Sequence, residues 1–316
     1  MGADVARFLA RNRWVWAALG VLLLWATLSL LTERVSLHAL SGVASSASFL
    51  LIAALGQMLV VTTGRGNIDL SIPSVITLSA YLTVIVSGGL DAHLPTALLA
   101  VAGLGLGTGI VNAALVIVIR IPAIIATLAT GYMLATLTLL ANRQVKTVRT
   151  AETLGFLATG RLGDVPVVAL IALVITVASA FVLVRLAYGR HLSATGQSLT
   201  AARLAGVRVD ATITAAFVTS SCLAAVSGML LSAYAGGAFL EMGSPYLLQT
   251  VGAVVLGGTL IAGGSATAAG TLFGAVLLVL IIVTMQIGRL PPGSQDIVQG
   301  LVIILVLAIA GPGRRR

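Results

Sequence analysis

Residues 43–63 read VASSASFLLIAALGQMLVVTT, residues 64–74 GRGNIDLSIPS and residues 75–88 VITLSAYLTVIVSG. The flanking runs are apolar over about the 20 residues that a lipid-spanning helix needs. The segment between them holds two glycines, an arginine, an asparagine, an aspartate and a proline. Asp69 or Ser71 can cap a helix, and Pro73 suits its first turn. Two readings follow. The segment is either a capped helix start at the membrane boundary or a broken helix whose free polar groups face a transport path.

The whole chain has the same character. Of 316 residues 59% are hydrophobic and 9% charged, against about 25% charged in an ordinary soluble domain. Mean hydropathy is +1.11, and Lys146 is the only lysine. Too few charges are present to coat a globule of this size. A soluble enzyme, a disordered chain and a nucleic-acid module are therefore excluded. Aromatic residues reach only 5%, too few for a cage of stacked rings around a cofactor.

Ten apolar runs are long enough to cross a bilayer, near residues 14–32, 43–63, 71–88, 96–119, 122–141, 165–187, 210–233, 247–264, 266–287 and 294–311. The expected fold is thus all-α and polytopic, one transmembrane domain over residues 1–316. The first run follows three arginines, as a signal peptide would, but Thr32-Glu33-Arg34 is a poor cleavage site and an uncleaved span is expected. An even number of spans puts both termini on one side. Arg7, Arg11 and Arg13 open the chain and Arg314 to Arg316 close it. With these inside, the same side gains Arg65, Arg120, Arg185, Arg190, Arg203 and Arg208. The outside holds Arg34, Arg143, Lys146, Arg149, Arg161 and Arg289. Twelve basic residues against six follow the positive-inside rule, with cytoplasmic termini; the terminal clusters also suit anionic lipid headgroups. The turn Ala262 to Ala266 between the eighth and ninth runs is a candidate re-entrant break. Gly107-Thr108 and Gly270-Thr271, five spans apart, suggest inverted half repeats. Cys222 lies alone in an apolar run, where a small buried residue is expected.

Catalytic constellations are absent from the sequence. The only lysine is not preceded by the glycines of a P-loop. No His-Glu-x-x-His, Cys/His metal spacing or Gly-x-Ser-x-Gly elbow occurs. Span interiors carry almost no ionisable residue, Asp69 excepted, whereas ion-coupled carriers use intramembrane carboxylates. Power from a separate partner subunit is the reading favoured over an ion-coupled secondary transporter or an intramembrane scaffold or enzyme.

The longest inside loop, about 188–209, runs Tyr188-Gly189-Arg190 through Gly196, Leu199, Ala201, Arg203 and Leu204 to Gly206. Ser198 can cap a short helix and Gly206 can end one, so a helix over 194–206 is expected to face a cytoplasmic partner. The ordered set Ile68-Asp69-Leu70-Ser71, Ile121 to Leu128, Gly189-Arg190, Ala201 to Val207, Ala253 to Thr259, Gly263-Gly264 and Gly270 to Ala275 resembles the permease subunit of ribose/galactose/xylose-type ABC sugar importers, in the branched-chain amino acid and sugar permease superfamily. The resemblance covers about residues 43–310. It implies a vitamin-B12-permease-like, type II importer fold in the bacterial inner membrane. It also implies a second permease (the same chain or a paralogue), ATP-binding subunits that hold ATP and Mg, and a periplasmic sugar-binding protein. Gly66-Asn67 and Ile72-Pro73 stand where the family has Gly-Gly and Val-Gly, and residues 263–267 lack its later Gly-Ser; Asn67 adds an amide where the family has none.

Three sets of site residues follow. Asn67, Asp69, Ser71, Ser74, Thr127 and Thr130 are expected along the path, although a helical threonine often bonds its own backbone. Gly189, Arg190, Gly196, Leu199, Ala201, Arg203, Leu204 and Gly206 are expected to couple to the ATPase. Arg143, Lys146 and Arg149, spaced by three with Glu152 continuing the series, are expected on one helix face in the outer segment 142–164, where they oppose the charge rule and suit acidic groups of the binding protein.

Overall fold

The computed structural model describes residues 14–32, 37–145 and 149–310. The terminal arginine clusters, Arg34 and Lys146 lie outside them. The described chain is almost wholly helical. In order the helices are α1 (Trp14–Thr32), α2 (Leu37–Thr62), α3 (Ile72–Ser87), α4 (Leu94–Ile117), α5 (Ala123–Asn142), α6 (Glu152–Thr159), α7 (Val167–Arg185), α8 (Ala187–Gln197), α9 (Leu199–Leu204), α10 (Val209–Tyr234), α11 (Tyr246–Leu256), α12 (Ala268–Ile287) and α13 (Pro292–Ala310). A two-residue antiparallel ribbon pairs Arg161 with Pro166 and Leu162 with Val165. Among the described residues six helices are long and apolar enough to cross a membrane: those within Leu40–Thr62, Asp91–Ile117, Ala123–Asn142, Val167–Arg185, Val209–Tyr234 and Ala268–Ile287. The chain is a multi-pass membrane protein.

The run 247–264, expected as a full span, is not one. Helix α11 has 11 residues and stops at Leu256. Gly258, Gly263 and Gly264 then take φ of 85°, 90° and 81°, left-handed conformations that end a helix. The segment 257–267 is non-helical and folds back, with the Leu260 N–H donating to the Ser265 carbonyl at 3.2 Å. The polar segment 63–71 is likewise non-helical apart from turns.

Helix α10 lies at the centre and packs on α2, α3 and α4, while α12 packs on α1, α2 and α11. In lipid the approach of helices relies on packing, so small residues mark the contacts. A Cβ on Gly105 would stand 2.7 Å from Cys222 Cα, and one on Gly56 2.7 Å from Ser220 Cα. Gly109 meets Val218 and Gly228 meets Ile76 in the same way. Gly103 and Gly107, in the same sequence cluster, face open space, so only alternate members of that cluster are contacts. Gly270 and Gly274 lie against Gly257 and Ala253.

One crossing joins three distant segments. Gly64 ends the turn after α2, Gly196 lies in the last turn of α8, and Gly263-Gly264 sit in the 257–267 segment. The Gly264 N–H donates to the Thr62 carbonyl at 2.9 Å. A Cβ on Gly196 would collide with that same carbonyl and with the Gly264 nitrogen. One on Gly263 would collide with Gly64 Cα.

Gly196→Ala is expected to destabilise the protein by about 1–3 kcal/mol through overpacking, read as a lower unfolding temperature in detergent. Gly103→Ala, with open space at its Cβ position, should stay within about 0.5 kcal/mol of the parent. Equal behaviour of the two would show that the crossing imposes no constraint.

Candidate translocation and coupling sites

The segment 63–71 is held from four helices. The Asp69 N–H donates to Gln57 Oε1 of α2 at 3.1 Å. Asp69 Oδ1 accepts from the Ser71 N–H at 3.0 Å and from the Ser71 hydroxyl at 2.6 Å. Asp69 Oδ2 accepts from the Ser220 hydroxyl of α10 at 2.9 Å. Asn112 of α4 donates from Nδ2 to the Ser71 hydroxyl oxygen at 2.9 Å. The Leu70 N–H donates to the Thr127 hydroxyl oxygen of α5 at 2.9 Å. A buried carboxylate is costly unless donors satisfy it, and Asp69 has three. These bonds also supply partners for backbone groups that a non-helical segment would otherwise leave bare in the membrane.

Asp69, Ser71, Thr127 and Thr130 are buried. Thr127 and Thr130 also bond the Ala123 and Ala126 carbonyls of their own helix. None of the four lines either of the two cavities that flank the segment. Asn67 and Ser74 do. The smaller cavity, about 250 Å³, is walled by Pro73, Ser74, Thr77, Thr138, Glu241 and Ser244 among others. The larger, about 780 Å³, includes Arg65, Asn67, Arg120, Leu199, Arg203 and Asp210. Helix α5 contributes Ala123 and Ile124 to the larger and Ala135, Thr138 and Leu139 to the smaller. Between these two stretches Gly131 faces the segment, its Cβ position 3.4 Å from the Leu70 carbonyl oxygen and 3.5 Å from Ser74 Oγ. A second non-helical stretch, 235–245, completes the smaller cavity. It is fixed by the Gly243 N–H donating to the Thr77 hydroxyl oxygen at 3.0 Å, and the Ser244 hydroxyl donates to Glu241 at 2.9 Å.

The expected helix 194–206 is two helices. Ser198 adopts φ −160°, ψ 107° and its side chain accepts from the Ala201 N–H, which stops α8 at Gln197 and starts α9 at Leu199. Gly206 follows with φ 82°. Gly189 sits tightly against Leu183 where α7 turns into α8. Leu192 and Thr195 pin α8 to the core, while Arg190, Ala201, Arg203, Leu204 and Gly206 are exposed and Leu199 is half-buried. Leu204 is 85% exposed, and Arg203 pairs with Asp210 at 2.7 Å.

The expected single helix through Arg143 and Arg149 does not form. Arg143 caps the end of α5, and α6 starts afresh at Glu152. That start is fixed from the 3-10 turn Asp91–His93 before α4, because Asp91 accepts from the Thr153 N–H at 3.0 Å and from its hydroxyl at 2.8 Å. Arg143 and Arg149 are both exposed. Sequence reading passed over Gln57, Asn112, Ser220, Thr77 and Glu241. Gln57 and Asn112 are single polar residues in apolar spans and Ser220 sits in the polar triplet Thr219-Ser220-Ser221, signals that periodicity alone does not weigh.

A multi-pass helical protein with paired cavities along one seam, and a short helical segment presented at one end, is a transport permease. The chain belongs to the family described as branched-chain amino acid transport system, permease component, whose model matches residues 39–307. It is similar to the autoinducer 2 import system permease protein LsrC of Shigella flexneri, at 32% identity over 96% of this chain and 89% of the relative. The protein of that name from Photorhabdus luminescens is 31% identical, over 96% of this chain and 92% of its own. No solved structure matches the chain. The chain is a transport subunit of an ATP-driven importer and not itself an enzyme.

Asp69→Ala removes the acceptor of three hydrogen bonds and is expected to cost about 2–4 kcal/mol, seen as reduced accumulation and a lower unfolding temperature. Asp69→Asn keeps an acceptor and should lose less. If Asp69→Ala abolished uptake while leaving stability unchanged, Asp69 would belong to the path and not to its frame.

Proposed function

We propose that this permease carries a monosaccharide or similarly small polar solute, delivered by a periplasmic binding protein, along the seam between α3, α5 and the segment 63–71. The observation that carries this is the placing of two cavities with polar side chains in their walls on either side of that segment. In this reading Asn67 and Ser74, with Thr77, Thr138, Glu241 and Ser244, line the path. Asp69, Ser71, Thr127 and Thr130 hold the septum between the cavities. Hydroxyls and one carboxylate suit a polyhydroxylated solute, and tight binding is left to the receptor. Autoinducer 2, the solute named for the relatives, is the first to test.

The chain acts as one transmembrane domain of about ten membrane-crossing or partly crossing helices, in the inner membrane with both termini cytoplasmic. A type II importer fold with inverted halves fits the packing. Helix α2 packs on α12 as α10 packs on α4, and α3 packs on α4 as α11 packs on α12. A second permease, identical or paralogous, completes the path, with lipid around the pair. ATP and Mg bind the partner ATP-binding subunit. Helices α8 and α9 dock on that subunit, because an apolar side chain as exposed as Leu204 on a polar segment marks a protein contact. Gly189, Arg190, Gly196, Leu199, Ala201, Arg203 and Gly206 shape that element. At the other end Arg143 and Arg149, with Lys146 between them, receive acidic groups of the binding protein.

Leu204→Asp is expected to abolish binding-protein-dependent uptake and co-purification of the ATPase while membrane insertion persists. Arg143→Glu is expected to weaken receptor-stimulated ATP hydrolysis several-fold. Unaltered uptake by the first variant, or uptake that collapses with the proton gradient and needs no ATPase, would overturn the reading.

A further inference from the structure

The larger cavity carries more positive charge than a path for a neutral solute requires. Its charged lining is Arg65, Arg120, Arg203 and Asp210. Asp210 is committed to Arg203 at 2.7 Å. Among the described residues, Arg65 and Arg120 have no side-chain hydrogen bond or ion pair. Both hold left-handed backbone, with φ of 59° and 65°, a conformation uncommon for side chains of this size. Backbone held in such regions gathers at ligand sites. Helix α5 opens on the same cavity, through Pro122, Ala123 and Ile124. Its N-terminus has no side-chain cap and no acidic residue in the first turn, so its positive dipole end is unanswered there. The Asn67 side chain lies in the same wall.

We infer that this cavity is a binding site for a phosphate group carried by a small polar molecule or by a lipid headgroup. Two unpaired guanidinium groups and a bare helix N-terminus match the charge of a phosphate monoester, about −1.5 to −2 at neutral pH, and planar guanidinium groups meet phosphate oxygens bidentately. A volume of about 780 Å³ has room for the rest of a sugar phosphate. Arg203 is the third cation of the site and is held in reserve by Asp210. Because Arg203 and Leu199 belong to α9, an occupant touches the segment proposed to couple to the ATPase. The site does not depend on which solute is imported, and binding is measured on the permease without transport. A failed uptake assay therefore leaves this proposal standing, and a failed binding assay leaves the path reading standing.

The test uses the full-length permease in nanodiscs of phosphatidylcholine, titrated with ribose 5-phosphate, ribose and inorganic phosphate. Ribose 5-phosphate is expected to bind, ribose is not, and inorganic phosphate should compete. The double variant Arg65→Gln/Arg120→Gln should lose at least ten-fold in affinity, and Asp210→Asn, which frees Arg203, should gain several-fold. Nanodiscs of phosphatidylglycerol separate the two sources. If they abolish ribose 5-phosphate binding, and anionic lipid co-purifies with the parent but not with the double variant, the phosphate is a lipid's. Otherwise it is a soluble ester's. The inference fails if ribose and ribose 5-phosphate bind alike. It fails equally if neither ribose 5-phosphate binding nor lipid retention is seen. It also fails if the double variant, with unchanged unfolding temperature, equals the parent while Asp210→Asn changes nothing.

Discussion

Where α8 crosses the two non-helical segments there is no room for a side chain. The Thr62 carbonyl accepts from Gly264, and Gly196 lies against both. Three stretches far apart in sequence therefore touch mainly by backbone, with the Gln197 side chain adding a bond to the Gly264 carbonyl at 3.4 Å. Backbone contact of this kind is stiff, because no rotamer can relax to absorb a displacement. Everything proposed for the protein as a machine depends on this stiffness. A helix exposed to a partner has little effect on a path within the membrane unless its motion is delivered, and α8 is joined to the end of α2 without a flexible intermediary.

The second constraint is electrostatic. A carboxylate inside a membrane protein is tolerated only with donors arranged around it. Asp69 draws Ser71 from its own segment and Ser220 from α10, and Gln57 and Asn112 extend the network to α2 and α4. The non-helical segment is thereby fastened to the central helix. The polar residues that look like a solute path in the sequence are, for the most part, what lets irregular backbone exist at that depth. In the proposed path the solute-facing groups are Asn67, two residues before Asp69, and Ser74, in the first turn of α3.

Much of the helical frame was legible because hydrophobic runs of span length have few alternatives. The run 247–264 misled because its apolar residues continue past Leu256 while glycines with left-handed backbone end the helix, and composition does not record φ. The split at Ser198 was half legible. The capping serine was evident, but an ordered helix before it was not, since Leu192 and Thr195 are buried by contacts distant in sequence. The three-residue spacing of Arg143, Lys146, Arg149 and Glu152 suggested one helix. Periodicity cannot see that α5 ends at Asn142 with Arg143 as its cap, nor that Asp91, from the 3-10 turn before α4, fixes where the next helix begins. Glu241 was missed for a related reason. It stands alone in a loop, and only the docking of Gly243 on Thr77 brings it beside Ser74.

The segment 63–74 is bound at each part to a different body. Its start, Thr62 to Gly64, is tied to α8 and to 257–267. Its middle, Asp69 to Ser71, is tied to α10 and α4, and Leu70 to α5. If α8 moves with an ATPase while α10 and α5 stay, the difference must be taken up between Arg65 and Ile68. Those residues are suited to it. Gly66 has φ 72° and open space at its Cβ position, and Arg65 already sits in a sparsely populated region that a small rotation would relieve. Asn67 spans the same interval, donating to Thr63 at 2.9 Å while facing the larger cavity. In the proposed path the Asn67 amide thus stands at the point where a pull on α8 would first be felt by a solute.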